Sequence, residues 1–213
     1  MKKDTRDGFA VVELFTSEGC SSCPPADATL AHIADTYKSN VFELAFHVDY
    51  WNNLGWEDIF SSSDYTKRQQ EYASVFHLNS IYTPQAVVNG KIQLIGSDNA
   101  GLTRIIDTEL QTVPGSRIEI HAAADKGRIH VSYSTKAGPA EVLQMALVQL
   151  RAETAVKRGE NGGHLLKHIN IVRDFLTIDD KISTGSTDLE IPKGLLPKDC
   201  MIIGFLQNEI ICI

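Results

Sequence analysis

Two rhythms of hydrophobic and polar positions alternate along the chain. Residues 9–16 (FAVVELFT) form an apolar run ending in the turn-like Ser17-Glu18-Gly19, which predicts a buried strand. After Cys23, Pro24-Pro25 suits the first turn of a helix. Leu30, Ile33, Ala34 and Tyr37 then recur at helical spacing. Residues 41–48 (VFELAFHV) predict a second strand, apolar enough for the middle of a sheet. A polar, aromatic stretch over residues 49–63 holds both tryptophans. Ser63 or Asp64 caps a helix to about His77, with Tyr65, Tyr72, Val75 and Phe76 on its apolar side. Thr83-Pro84 leads into a strand over residues 85–88, and Asn89-Gly90 turns it into residues 91–95, a hairpin signal. Residues 97–99 cap a further helix carrying Leu102, Ile105, Ile106 and Leu110.

Pro114-Gly115 breaks this pattern. Beyond it, residues 117–123, 128–134, 143–150, 164–178, 188–191 and 200–206 are strand-like, and Gln207-Asn208 can turn into a strand over 209–213. Many short strands joined by polar turns suggest a sandwich. The expectation is an α/β domain over residues 1–113, a mixed central sheet flanked by helices, followed by a mainly β, sandwich-like domain over residues 114–213.

Charge divides the chain at the same place. Residues 1–113 carry 8 Lys/Arg and 15 Asp/Glu, and residues 114–213 carry 12 of each, so the net charge of −7 belongs to the first part. An acidic chain argues against a nucleic-acid partner, which selects for basic patches. No apolar run has the length of a membrane span. The start, MKKDTRDG, has no apolar core of a signal peptide. Four cysteines are too few for a disulfide scaffold, so their placement matters more than their number.

Cys20-Ser21-Ser22-Cys23 lies between a strand and a helix, the context in which C-x-x-C is informative. Unpaired N–H groups at a helix entrance favour an anion, and such motifs depress a cysteine pKa. Cys20 is then the nucleophile that forms a mixed disulfide, and Cys23 the thiol that resolves it. An inert disulfide or half of a metal site is the alternative, but no second C-x-x-C completes a zinc site. Pro84 at the head of a strand needs a reason, because proline cannot donate to a ladder. Thr83–Pro84 is either a cis bond that turns the Thr83 backbone toward the cysteines or a plain trans bond at a strand start. Tyr50, Trp51 and Trp56 follow the second strand, so they emerge on the same edge as the cysteines. There they either wall a peptide groove or cover the core.

The order of strand, C-x-x-C, helix, strand, helix, Thr-Pro, hairpin and helix resembles the thioredoxin fold over about residues 9–112. More narrowly, VVELFTSEGCSSCPPAD, FHVDYWNNLGW, YTPQAVVNG and GENGGHLLKHINIVR resemble the thioredoxin-like domain-of-unknown-function family 1223. These stretches span nearly the whole chain. The resemblance implies Cys20 and Cys23 as a redox pair and Pro84 as a cis-proline. Thioredoxins also keep a buried acid near the position of Glu13, allowing one inserted residue, to relay the proton of the resolving thiol. Gly19 stands where thioredoxins have a tryptophan, and Ser-Ser stands where they have Gly-Pro, so their potential is not carried over. Members of the family are mostly exported from bacteria, and their biochemical role is not established.

His47 reads as a satisfied core histidine, and His77 suits a helix C-terminus. A site combining Cys20, Cys23 and one of these histidines is a minor metal reading. His168 and Asn170 share a strand face by period two and, with His164 and Arg173, read as a polar site, an interdomain contact or, preferably, a structural network. Cys200 and Cys212 read as buried free thiols.

The functional expectation is a thiol-disulfide oxidoreductase acting on protein or peptide thiols and disulfides. Cys20, Cys23, Pro84 and Glu13 are its catalytic residues, and Thr83, Tyr50, Trp51 and Trp56 bind substrate. No cofactor, nucleic acid or membrane span is called for. A non-catalytic binding module and a metal carrier through the cysteine pair are the alternatives. The family resemblance implies a periplasmic or secreted location, with an export signal on the precursor, and the short stretch before Phe9 looks trimmed or engineered; a cytoplasmic protein is the alternative.

Overall fold

The computed structural model describes residues 8–136, 141–178 and 183–208. Strand β1 (Ala10–Thr16), helix α1 (Pro24–Tyr37), β2 (Val41–His47), α2 (Ser63–Val75), β3 (Gln85–Val88), β4 (Ile92–Ile95) and α3 (Asn99–Glu109) come first. They are followed by β5 (Arg117–Asp125), β6 (Arg128–Lys136), β7 (Glu141–Ala155), β8 (Leu165–Ile178), β9 (Thr184–Glu190) and β10 (Cys200–Asn208). Local chemistry sets the boundaries. Ser62 caps α2 by accepting from the Asp64 amide, and Asp98 caps α3 by accepting from the Gly101 amide. Asn89 and Gly90 both take positive φ, 50° and 65°, and the Lys91 amide closes the turn on the Val88 carbonyl at 3.0 Å.

The expected fold class is corrected. The chain is not a thioredoxin-like α/β domain with a sandwich appended. It is mostly β, with 45% of the described residues in strands, 23% of them helical and three α-helices among them. One mixed sheet of seven strands, in the order β10-β7-β8-β2-β1-β3-β4, draws strands from both sides of residue 114. Strands β5-β6-β9 form a second, antiparallel sheet. The reason lies in β2. It is buried along nearly its whole length, and β1 covers only one of its edges with parallel hydrogen bonds. An apolar strand with an open edge needs a second neighbour. β8 supplies it, running parallel to β2 with Ala45 opposite Ile171. β7 and β10 then extend the sheet antiparallel. Gln207 and Asn208 do not turn; both lie in β10, opposite Val142 and Glu141. The strand expected over 209–213, and Cys212 with it, lie outside the described residues.

Alternation along β1 sorts the core into layers. Ala10, Val12 and Leu14 pack with Leu30 and Ile33 of α1 and with Leu102, Ile106 and Leu110 of α3. Val11 and Phe15 face the other way, against Tyr65 and Tyr72 of α2 and Val148, Val172 and Phe205 of the added strands. A third cluster, including Val131, Met145, Leu147 and Leu189, fills the space between the two sheets.

Glu13 sits in the second of these layers and is 1% exposed. Arg68 of α2 grips its carboxylate with two hydrogen bonds, Nε to Oε2 at 2.6 Å and Nη2 to Oε1 at 2.9 Å. Tyr72 donates to Oε1 at 2.5 Å. Arg68 also donates to Gln207 Oε1 at 3.0 Å, and Gln207 Nε2 donates to Tyr72 at 2.7 Å. This network ties β1, α2 and β10 together. Removing one partner of a buried ion pair strands the other charge. Arg68→Ala should therefore cost roughly 3–5 kcal/mol in denaturant unfolding. Replacing both partners by apolar residues, Glu13→Leu with Arg68→Met, should cost far less.

Candidate functional site

β1 delivers the chain to a tight turn in which the Cys20 amide donates to the Ser17 carbonyl at 3.2 Å. Cys23 is the N-cap of α1, and the amides of Ala26 and Asp27 donate to its carbonyl. Pro24 and Pro25 fill the first turn, where no amide donor is missed. Cys20 and Cys23 form a disulfide with their Cα atoms 5.5 Å apart.

The other parts of the site converge on Cys20. The Thr83–Pro84 bond is cis. Thr83 Oγ1 donates to Cys20 Sγ at 3.2 Å, and Trp51 Nε1 donates to Thr83 Oγ1 at 2.9 Å. Ser22 Oγ lies 3.3 Å from Cys20 Sγ and 3.5 Å from the Thr83 carbonyl. Tyr50 donates to Gln69 Oε1 at 3.2 Å, and burial pushes its phenol up to about 12. Gly96 is required by close approach, because a Cβ there would meet Leu14 Cδ1 at 2.6 Å and crowd Ala26 and Pro84.

Both cysteines are fully buried. Their cover is the loop between β7 and β8. Asn161 Nδ2 donates to the carbonyls of Glu18 and Cys20, each at 2.9 Å. Glu160 Oε2 accepts from the Ser21 amide at 3.0 Å, and its hydrogen bonds with Ser21 hold the carboxyl below the usual range. Gly159, with φ of 74°, packs against Trp56. The second tryptophan therefore braces the cover, and its Nε1 donates to Glu18 Oε2 at 2.8 Å.

A buried group of acids and histidines gathers around Glu18, two residues before Cys20. His47 Nδ1 is 2.7 Å from Asp58 Oδ2, which also accepts from the Glu18 amide. Burial works against the Asp58 carboxylate, but His47 beside it keeps its carboxyl below the ordinary value. The His168 ring from β8 meets His47 edge-on, with centroids 4.9 Å apart. His168 Nε2 lies 3.3 Å from Glu18 Oε1, and Nδ1 lies 3.7 Å from Asp27 Oδ2. These are ion-pair contacts without hydrogen-bond alignment. Burial disfavours the imidazolium, yet Asp27 and Glu18 prevail and lift His168 from 6.5 to about 9. Asn170, further along β8, donates to Glu43 Oε2 at 3.1 Å, and burial raises that carboxyl to about 7.

Residues 11–207 match the model of a family described as a protein of unknown function, DUF1223. The chain belongs to that family. No curated protein matches it. Protein AGR_C_4864 from Agrobacterium tumefaciens, known from a crystal structure, is 32% identical. The two superpose with a TM-score of 0.66 over 85% of this chain and 78% of that one. HBP35 of Porphyromonas gingivalis, 18% identical, superposes with a TM-score of 0.61 over 96% of this chain and 70% of that one, a likeness of fold alone.

Of the residues singled out from sequence, Cys20, Cys23, Thr83, Pro84 and Trp51 meet at one point. Trp56 stands behind them, bonded to Glu18, and Tyr50 packs into the core beside Gln69. Glu13 is not among them, since its carboxylate is held by Arg68 and Tyr72 on the α2 side of the sheet. Cys200 is a half-buried free thiol at the start of β10. Among the described residues, no three His, Cys, Asp or Glu side chains are placed to hold a metal ion, and no helix is long and apolar enough to cross a membrane. Sequence reasoning missed Glu18, Asp27, Asp58 and Asn161. Asp27 left one signal: it sits three residues before Leu30, on the apolar stripe of α1.

Because His168 binds its proton more tightly when folded, its stabilising contribution is full below about pH 6.5 and is lost as pH rises through about 9. The difference in urea midpoint between the wild type and His168→Gln should shrink across that window.

Proposed function

We propose that the chain is a thiol-disulfide oxidoreductase that exchanges electrons with protein or peptide thiols through Cys20 and Cys23. The observation that carries this reading is the hydrogen bond from Thr83 to the sulfur of Cys20 at the mouth of α1. Hydrogen bonding and the helix entrance both stabilise a thiolate at Cys20 once the disulfide opens. Cys20 is then the exchanging sulfur and Cys23 the resolving one. Thr83 and Pro84 border the approach to Cys20, and Trp51 holds Thr83 in place. A working location in the bacterial envelope or outside the cell accords with a stable disulfide.

Burial of both sulfurs favours a second reading, a binding module in which the disulfide is only a staple. In the oxidoreductase reading, the cover must lift. Its Gly159 and Gly163 take φ of 74° and 87°, and Glu160 and Asn161 hold it down by side-chain bonds alone.

Two measurements separate the readings. With a disulfide-containing protein substrate, the Cys20 thiolate of Cys23→Ser should attack the substrate disulfide, release one substrate thiol and accumulate as a mixed disulfide, and Cys20→Ser should accumulate none. Accumulation in neither variant contradicts the proposal. Replacing Glu160 and Asn161 together by alanine should raise the rate of disulfide reduction by dithiothreitol by about tenfold or more, since each 1.4 kcal/mol of lost closure energy is a factor of ten. An unchanged rate contradicts the role of the cover.

A further inference from the structure

The oxidoreductase reading leaves a chemical requirement unmet. When a substrate thiolate attacks Cys20 Sγ, a new S–S bond forms and the Cys20–Cys23 bond breaks. The electron pair of the broken bond leaves on Cys23 Sγ. That sulfur, like Cys20, is fully buried in the closed state, and where the cover lifts only far enough to admit a thiolate to Cys20, solvent does not reach Cys23 to protonate or solvate the charge. A proton must come from inside the protein.

A donor is available on the same helix. Asp27 follows Cys23 by four residues, so the two side chains lie on one face of α1. Helical side chains tilt toward the N-terminus, which points Asp27 back toward Cys23. Thr16 donates to Asp27 Oδ1 at 3.3 Å, which leaves Oδ2 turned toward the His168 ring. His168 lies between Asp27 and Glu18, and neither of its nitrogens has an aligned hydrogen bond among the described residues. Two carboxylates facing one imidazole, all buried, form a store for one proton.

Resting on the oxidoreductase reading, we propose that Glu18, His168 and Asp27 hold the proton that Cys23 takes up when the disulfide opens. Asp27 delivers it, and His168 is a positioning residue that acts through Asp27. In the first half of the exchange the cluster loses one proton, Cys23 becomes a thiol, and substrate is joined to Cys20. In the second, another substrate thiolate attacks the substrate sulfur of the mixed disulfide, and Cys20 leaves with the electron pair. Two substrate thiols are thereby oxidised to a disulfide, and the cluster regains its proton from solvent. Oxidation of the cysteine pair by a substrate disulfide runs the same steps in reverse.

The other charges around His168 do not replace this path. His47 faces it from β2 but is committed to Asp58, and Arg173, further along β8, lies over the Phe60 ring and donates to Gln149. Trp56 donates only to Glu18 Oε2 and leaves Oε1 for the histidine.

The test is the rate at which dithiothreitol opens the disulfide between about pH 6 and about pH 10, divided by the thiolate concentration at each pH. Linearity in dithiothreitol shows that opening of the cover is not the rate-limiting step. In the wild type the corrected rate should be high at low pH and fall as the cluster loses its proton. His168→Gln and Asp27→Asn should each lower the low-pH plateau by about 100-fold and flatten the profile, the usual scale of a lost general acid. Loss of packing alone would lower a melting temperature and leave the shape of the profile intact. If either variant folds and keeps the wild-type profile, this proposal is wrong and the oxidoreductase reading stands. If dithiothreitol cannot open the wild-type disulfide at any pH, both are wrong.

Discussion

The parallel pairing of β2 with β8 is the contact on which the rest of this structure depends. β2 is buried on both faces, and β1 satisfies one edge of it. Closing the other edge with a strand from more than a hundred residues later joins the two parts of the chain into one sheet. The same pairing has chemical consequences. It carries His168 to Glu18 and Asp27, and it directs the preceding loop over the cysteines. A strand that exists to complete a sheet thus supplies both the cover of the site and a histidine of the buried group.

The two buried ionic groups do different physical work. The Glu13–Arg68 pair is fully aligned, bidentate and braced by Tyr72 and Gln207, which fixes α2 and β10 against β1. The group around His168 has charges close enough to attract but not aligned to bond. Interior polar groups are normally satisfied. In the proposed exchange, this exception is where a proton is held and released. In the closed state, the cover saturates the backbone around the cysteines with side chains of Glu160 and Asn161. In the proposed exchange, a substrate displaces it.

How much of this was legible depends on whether the signal is local. Asn89-Gly90, Pro24-Pro25 and the spacing of Leu30, Ile33 and Tyr37 act within a few residues, and the elements they predict are present. The apolar character of residues 41–48 signalled a central strand, but nothing near it in the chain named its partner. Pairing across such a separation leaves no periodic trace, so the second part read as a fold of its own. A glutamate in an apolar strand reads the same whether it relays a proton or grips an arginine. Glu13 was settled by Arg68, which lies on the buried face of α2 among polar neighbours in sequence. Cys20, Cys23 and Pro84 were legible because their chemistry is tied to spacing and turn type. Asn161 and His168 were not, because their roles arise only when β8 docks beside β2.

The central claim is that Cys20 and Cys23 exchange electrons and are not merely a staple. Equilibrating the whole protein in thiol–disulfide buffers of graded potential, and counting free thiols by mass after alkylation, tests it directly. The account predicts reversible interconversion within the range of working oxidoreductases, about −270 to −120 mV. A pair that stays oxidised in buffers below about −300 mV, as structural disulfides do, would contradict it.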